Sequence, residues 1–157
     1  MSLENHPRIT PFLWFDKNAA EAVDFYLSVF KNSRRLSELK TNYDGGAVPK
    51  GEPLVIAFEL DGQKFSALNG GPMFKFTEAV SFVVRCDSQQ EIDEYWSKLT
   101  GGGGSDGQCG WLKDKFGLSW QIVPARLSEL LKTREAMQAM MGMKKLDIAT
   151  LERASNS

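Results

Sequence analysis

Few side chains in this 157-residue sequence combine reactive chemistry with a position that could use it. Glu59 interrupts the apolar run Leu54-Val55-Ile56-Ala57-Phe58-Glu59-Leu60, which makes it the best-placed carboxylate for general-base work. The plain alternative is a residue on the outer face of a strand, where acidic side chains mostly sit. Arg85 ends another apolar run and offers a forked donor to an anionic ligand, against a simple solvent-facing strand end. Ser81 and Gln121 could bond a ligand carbonyl or hydroxyl, or else bond each other or water in a filled interior. Cys109, beside Gly110 and Trp111, has no histidine nearby in sequence to activate it, so an inert thiol is expected. The only histidine, His6, precedes the first strand and argues against a Ser–His or Cys–His nucleophile. The Gly101–Gly104 run lacks the Lys-Ser/Thr of a phosphate loop and follows a helix, so it reads as a linker.

Composition narrows the classes. Nineteen basic and twenty acidic residues leave a net charge of −1, and no Lys/Arg block exceeds Arg34-Arg35 or Lys144-Lys145. Nucleic-acid binding needs a concentrated basic face, so no nucleic-acid partner is expected. No apolar run approaches a membrane span, and the first residues lack a signal pattern. Two cysteines, Cys86 and Cys109, without metal-type spacing, suggest reduced thiols rather than a disulfide framework. A cytoplasmic protein is expected.

The elements that must position these residues come as a repeat. Phe12-Leu13-Trp14-Phe15, then Asn18, Glu21, Ala22, Phe25, Tyr26 and Val29, are echoed seventy positions later by Phe82-Val83-Val84-Arg85, then Ser88, Glu91, Ile92, Tyr95, Trp96 and Leu99. Each copy predicts an apolar strand and a helix opened by a capping box, Asn18…Glu21 or Ser88…Glu91. Ser33 to Thr41 reads as a strand, followed by a loop rich in turn formers to Pro53. Leu54–Leu60, the turn Asp61-Gly62 and Gln63–Leu68 form a hairpin. A second hairpin, Trp111–Lys113 and Leu118–Val123 about the turn Phe116-Gly117, matches the first at an offset of 55. The second copy is therefore shorter by fifteen residues (70 − 55). Helices follow Pro124, with a cluster at Met137, Met140, Met141 and Met143. A unit too small to fold alone, used twice, implies a pseudo-symmetric domain.

A strand–helix–three-strand unit used twice resembles the vicinal oxygen chelate superfamily, which includes glyoxalases and extradiol dioxygenases. Ile9–Phe15, Glu21–Tyr26, Asn69-Gly70-Gly71-Pro72, Cys109–Asp114 and Phe116–Pro124 resemble its PhnB-like branch more specifically. The resemblance implies an α+β fold: two βαβββ modules, about 8–70 and 78–124, forming a curved mixed sheet around a cavity. A helical tail over 125–153 completes a single domain over 1–157. It also implies a divalent metal held by four positions, which alignment on helices and turns puts at Pro11, Ser66, Ser81 and Gln121. Proline has no side-chain ligand, serine is a poor one, and amide oxygen binds weakly, so no metal and no cofactor are expected. Strand alternation then puts Pro11, Leu13 and Phe15 on the cavity side with Ser66, Ser81, Arg85, Ser119 and Gln121, while Phe12, Trp14, Phe65, Phe82 and Trp120 face the helices. Trp111 is placed with the cavity residues.

The leading functional reading is a small-molecule-binding protein of this fold lacking the usual metal site. The alternative is a lyase or isomerase, with Glu59 as the candidate catalytic residue. The family's frequent label, demethylubiquinone methyltransferase, fits less well, because no glycine-rich turn follows a strand to hold S-adenosylmethionine. The resemblance also implies a homodimer, for which the Met-rich C-terminal helices offer a contact.

Overall fold

The computed structural model describes residues 1–157, and the chain divides into two compact units, 1–75 and 76–157. In the first, β1 (Phe12–Phe15), α1 (Ala19–Val29), β2 (Arg34–Lys40), β3 (Pro53–Leu60) and β4 (Gln63–Asn69) form a four-stranded sheet with one helix. The strand order is β1-β4-β3-β2, with β1 parallel to β4 and the other pairs antiparallel. Helix α1 forms because Ala19, Ala22, Val23, Tyr26 and Val29 recur at three- and four-residue spacing and all are buried, the stripe a helix needs to cover a sheet. Tyr26 stacks on Phe58 (6.4 Å between ring centres) and Phe58 on Phe65 (5.4 Å). Burial of each such ring contributes about 1.5–3 kcal/mol. The β3–β4 turn takes Asp61 and Gly62 to φ of 46° and 87°, as a two-residue hairpin with a right-handed strand twist requires.

The second unit repeats the plan with β5 (Ser81–Cys86), α2 (Gln89–Thr100), β6 (Ser105–Asp106), β7 (Trp111–Lys113) and β8 (Ser119–Pro124), in the order β5-β8-β7-β6. Here β5 runs parallel to β8. The two-residue strand β6 follows directly on the glycine run that the sequence suggests is only a linker. Three helices complete the unit: α3 (Leu127–Leu130), α4 (Arg134–Met141) and α5 (Ile148–Ser155). Their approach is anchored at Cys109 and Gly110, whose N–H groups donate to the carbonyls of Met143 and Lys144 (both 2.8 Å). A Cβ on Gly110 would meet Leu146 at 3.2 Å, so the Cys109-Gly110-Trp111 stretch serves to seat the tail. No helix is long and apolar enough to cross a membrane.

Two local expectations need correction. The Asn18 side chain makes no capping bond; instead Asn69 Oδ1, at the end of β4, accepts from the Ala19 N–H (2.9 Å) while its Nδ2 donates to the Pro53 carbonyl (2.9 Å). In α2 the predicted cap is present: Ser88 Oγ accepts from the Glu91 N–H (3.2 Å), and the Glu91 carboxylate accepts from the Asp87 N–H (2.8 Å).

The second correction concerns the faces of β1. Leu13 and Phe15 are buried and Phe12 is 57% exposed, so Leu13 and Phe15 lie on the α1 side and Phe12 and Trp14 on the opposite, open face. Three residues, Asp16 to Asn18, link β1 to α1, whereas only Asp87 and Ser88 link β5 to α2. That extra residue makes the strand offset 71 (86 − 15) while the helix offset stays 70 (89 − 19). A one-residue slip turns every side chain to the other face.

Candidate functional site

In each unit one sheet face packs on the helix and the other is open, and the open faces carry the polar residues of interest. In the second unit the register pairs Ser81 with Ser119, Val83 with Gln121, Trp111 with Gln121 and Lys113 with Ser119. Paired residues share a face, so Ser81, Val83, Arg85, Trp111, Lys113, Ser119 and Gln121 all lie on one side. Phe82, Trp120 and the buried Ile122 lie on the other. Gln121 Nε2 donates to Ser81 Oγ (3.0 Å), which fixes the amide across two neighbouring strands.

Ser119 is the unusual member. It is 1% exposed, and its hydroxyl has no hydrogen-bond partner. It lines a pocket of about 420 Å³ together with Trp111, Lys113, Glu78 and Gln108. A buried hydroxyl left unpaired costs about 1–3 kcal/mol. Lys113 Nζ forms an ion pair with Glu78, which lowers the Glu78 carboxyl from its usual range through the hydrogen bond from Lys113. The lysine charge at the pocket rim is thereby balanced.

Arg85 shares this face but is mostly exposed, with its guanidinium on Asp87 (2.6 Å). Glu59 lies on the open face of the first unit, where Arg34 on the adjacent strand donates to its carboxylate (3.2 Å). Cys86 points to the helix side and is buried; burial, then the nearby Glu91 and Asp87 charges, pushes its thiol up to about 12. Such a thiol holds its proton and is a poor nucleophile.

In the first unit Ser66 is buried, pairs with Phe12 and takes the open face. Leu13 pairs with Ala67 on the helix side and cannot line that face. Pro11 contributes its carbonyl, which accepts from the Ser66 N–H (3.0 Å). With the strand offset at 71, the residue equivalent to Ser81 is Thr10 rather than Pro11. Ser66 and Thr10 line a pocket of about 450 Å³ that also includes His6, Arg8, Leu3 and Phe12. His6, Arg8 and Thr10 were not among the expected cavity residues; the signal for Thr10 is the longer strand–helix connection.

The positions implied for a metal are therefore Thr10 and Ser66 in the first unit, Ser81 and Gln121 in the second. Hydroxyls and an amide do not fit a divalent cation that prefers imidazole or carboxylate. No group of three or more His, Cys, Asp or Glu is placed to hold a metal ion.

Two motifs of the sequence prove to be structural. Asn69 caps α1; the N–H groups of Gly70 and Gly71 donate to the carbonyls of Phe15 and Asp16 (2.9 and 2.8 Å). Gly70 lies under Trp14, whose ring a Cβ would meet at 2.5 Å, and Trp14 Nε1 donates to the Gly71 carbonyl (2.8 Å). Asp114, 2% exposed, accepts from the Phe116 and Leu118 N–H groups and from Trp120 Nε1 (2.9, 3.1 and 2.9 Å).

The paired βαβββ architecture, with its open faces, defines the glyoxalase-like class of fold. A family model described as 3-demethylubiquinone-9 3-methyltransferase matches residues 7–123. A Bacillus cereus protein, provisionally described as a 3-demethylubiquinone-9 3-methyltransferase or PhnB protein, is 34% identical, with a TM-score of 0.68 over 76% of this chain and 100% of that one. Protein PA1353 of Pseudomonas aeruginosa is 20% identical, with a TM-score of 0.62 over 75% and 97% of the two chains. The fosfomycin resistance protein FosX of Listeria monocytogenes shares the fold at 16% identity and a TM-score of 0.51, over 78% and 96%. No curated protein sequence matches the chain. The chain belongs to the PhnB-like family of the vicinal oxygen chelate superfamily.

Proposed function

We propose that this protein binds a small molecule on the open face of its second unit, without a metal, through Ser119, Gln121 and Ser81 beside the Trp111 ring. The observation that carries this reading is the Ser119 hydroxyl, buried and unpaired on the wall of a pocket of about 420 Å³. That size suits a small ligand, and an apolar wall with a few fixed polar groups is what orients one. A serine hydroxyl both donates and accepts, so the fitting ligand presents a carbonyl or hydroxyl at that point. Gln121 and Ser81, bonded to each other on the same sheet face, do not line that pocket, and they meet a ligand that extends from it along the face.

The lyase or isomerase reading with Glu59 as base has no comparable support, since that carboxylate is engaged by Arg34 on the next strand. The methyltransferase description is not carried over either: the connections after β1 and β5, Asp16-Lys17-Asn18 and Asp87-Ser88, have no glycine with which to approach a nucleotide-like cofactor. A homodimer forms part of the proposal. The exposed Ile9, Phe12, Val80 and Val83 lie in or beside the edge strands β1 and β5, and Met137 and Met141 are exposed on α4. Two thiols without a disulfide suit a reducing compartment such as the cytoplasm.

The reading is tested by NMR titration of the whole protein with a panel of small ketones, amides and alcohols. Shifts of the Gln121 side-chain amide and Trp111 indole that saturate support it; a panel that moves neither sinks it. Light scattering checks the dimer, with Val83→Lys and Met141→Lys predicted to favour the monomer.

A further inference from the structure

We propose a second binding site, in the first unit, for an organic oxyanion carried on a short apolar body. The pocket of about 450 Å³ is lined by Arg8, His6, Thr10 and Ser66, with Leu3 and Phe12 as apolar members; the Thr10 hydroxyl donates to the Pro7 carbonyl (3.4 Å). Three features point to an anion. No carboxylate lines the pocket, and Arg8 forms no ion pair, although most other arginines of the chain do. His6 Nδ1 is buried without a partner, an arrangement that costs free energy until a ligand atom bonds it. The segment bearing both groups is also tied to its surroundings: Lys64 Nζ on β4 donates to the Asn5 carbonyl (2.9 Å), and the His6 N–H donates to the Leu3 carbonyl (3.0 Å).

The donor set explains the ligand class. A guanidinium fork engages two oxygens of a carboxylate or phosphate at once. The imidazole Nδ1 donates to such an oxygen in the tautomer that carries its hydrogen there, and a hydroxyl can turn its hydrogen to whatever oxygen is near. Leu3 and Phe12, both largely exposed, would cover an alkyl or aryl group attached to that oxyanion. The step is binding alone, with no bond made or broken. The pocket of the second unit differs in charge, because the carboxylates of Glu78 and Asp106 line it beside Lys113.

The test is an NMR titration of the full chain with hexanoate, hexyl phosphate and hexanamide, reading the His6 ring and the Gln121 side chain in the same spectra. Saturating shifts at His6 from hexanoate or hexyl phosphate are expected, with hexanamide about tenfold weaker or worse, because only the anions use the fork. Which anion binds tighter sorts a carboxylate source from a phosphate source. Arg8→Gln, an exposed position, should keep the melting temperature and lose about tenfold in anion binding. His6→Phe, which keeps the ring shape, should also weaken it. Equal binding of hexanamide and hexanoate, an unchanged affinity in Arg8→Gln, or no shift at His6 from either anion would overturn the proposal. None of these outcomes touches the Gln121 response, which reports on the second unit separately.

Discussion

The two units share one plan and solve its local problems differently. In the first, α1 is capped from across the sheet by Asn69, and the open face is partly filled by Trp14, edge-to-face with Phe74 at 4.9 Å. In the second, α2 is capped by its own Ser88, and the open face carries Trp111, Ser119 and Gln121 beside a pocket. Near the hairpin turn the first unit has Glu59 opposite Lys64, one pair beyond Leu60–Gln63, and the second has Lys113 opposite Ser119. Each unit also holds one buried polar atom without a partner, His6 Nδ1 in the first and Ser119 Oγ in the second. Both atoms belong to residues that line pockets. Sheet register and helix packing are preserved between the copies, while capping, charge and the open face diverge. Packing therefore defines the repeat, and the open faces are where the two copies have become different sites.

The sharpest break of this comparison is Asp114→Ala. Only the second unit has a buried carboxylate holding its hairpin turn, and its loss strands two backbone N–H groups and the Trp120 indole. Denaturant unfolding should show a loss of about 3 kcal/mol or more. Next in size is the contrast in caps. Asn69→Ala should cost about 1–2 kcal/mol although it lies far from α1 in sequence, whereas Asn18→Ala should change stability by less than about 0.5 kcal/mol. If Asn18 proves the costlier of the two, the cross-sheet cap is wrong.

Ser119→Ala should act in the opposite sense to an ordinary polar deletion. Removing an unpaired buried hydroxyl is expected to raise stability by about 1 kcal/mol, read as a higher unfolding midpoint. The smallest effect concerns the thiols. Cys86 has its pKa raised from 9.0 to about 12, so the folded chain keeps a proton that the unfolded chain releases. The stability this gives is complete below pH 9.0 and is lost as pH rises towards 12. Below that window, a thiol reagent should modify the half-buried Cys109 and leave Cys86 untouched in the folded protein; equal rates at both would refute the burial argument.

Much of this architecture is legible in the sequence because it is periodic. The stripe Ala19, Ala22, Val23, Tyr26 and Val29 and the alternation through Leu60 announce a helix and a strand, and Asp61-Gly62 announces the turn. The repeat itself, with the matched order of its motifs, is enough to point to the family. The phase of β1 is not legible from the strand alone. Four consecutive apolar residues, Phe12 to Phe15, carry no alternation, so their faces depend on one extra residue in the following connection. Aligning on the helices misplaces Leu13 and Pro11 for that reason, while the same alternation places Ser81, Arg85, Trp111 and Gln121 together. Asn69 as a cap is also beyond a local reading, because its partner is fifty residues away in sequence. The unpaired state of Ser119 and His6 depends on three-dimensional packing, which no spacing encodes.

The most direct test of the binding claim compares wild type with Ser119→Ala in the same titration of small ketones, amides and alcohols, read at the Gln121 side-chain amide and the Trp111 indole. The account predicts saturable shifts at both groups in the wild type and affinity lower by about tenfold in Ser119→Ala, the loss of one buried hydrogen bond. Shifts of equal affinity in both proteins, or shifts confined to the helix-facing side of the sheet, would contradict it.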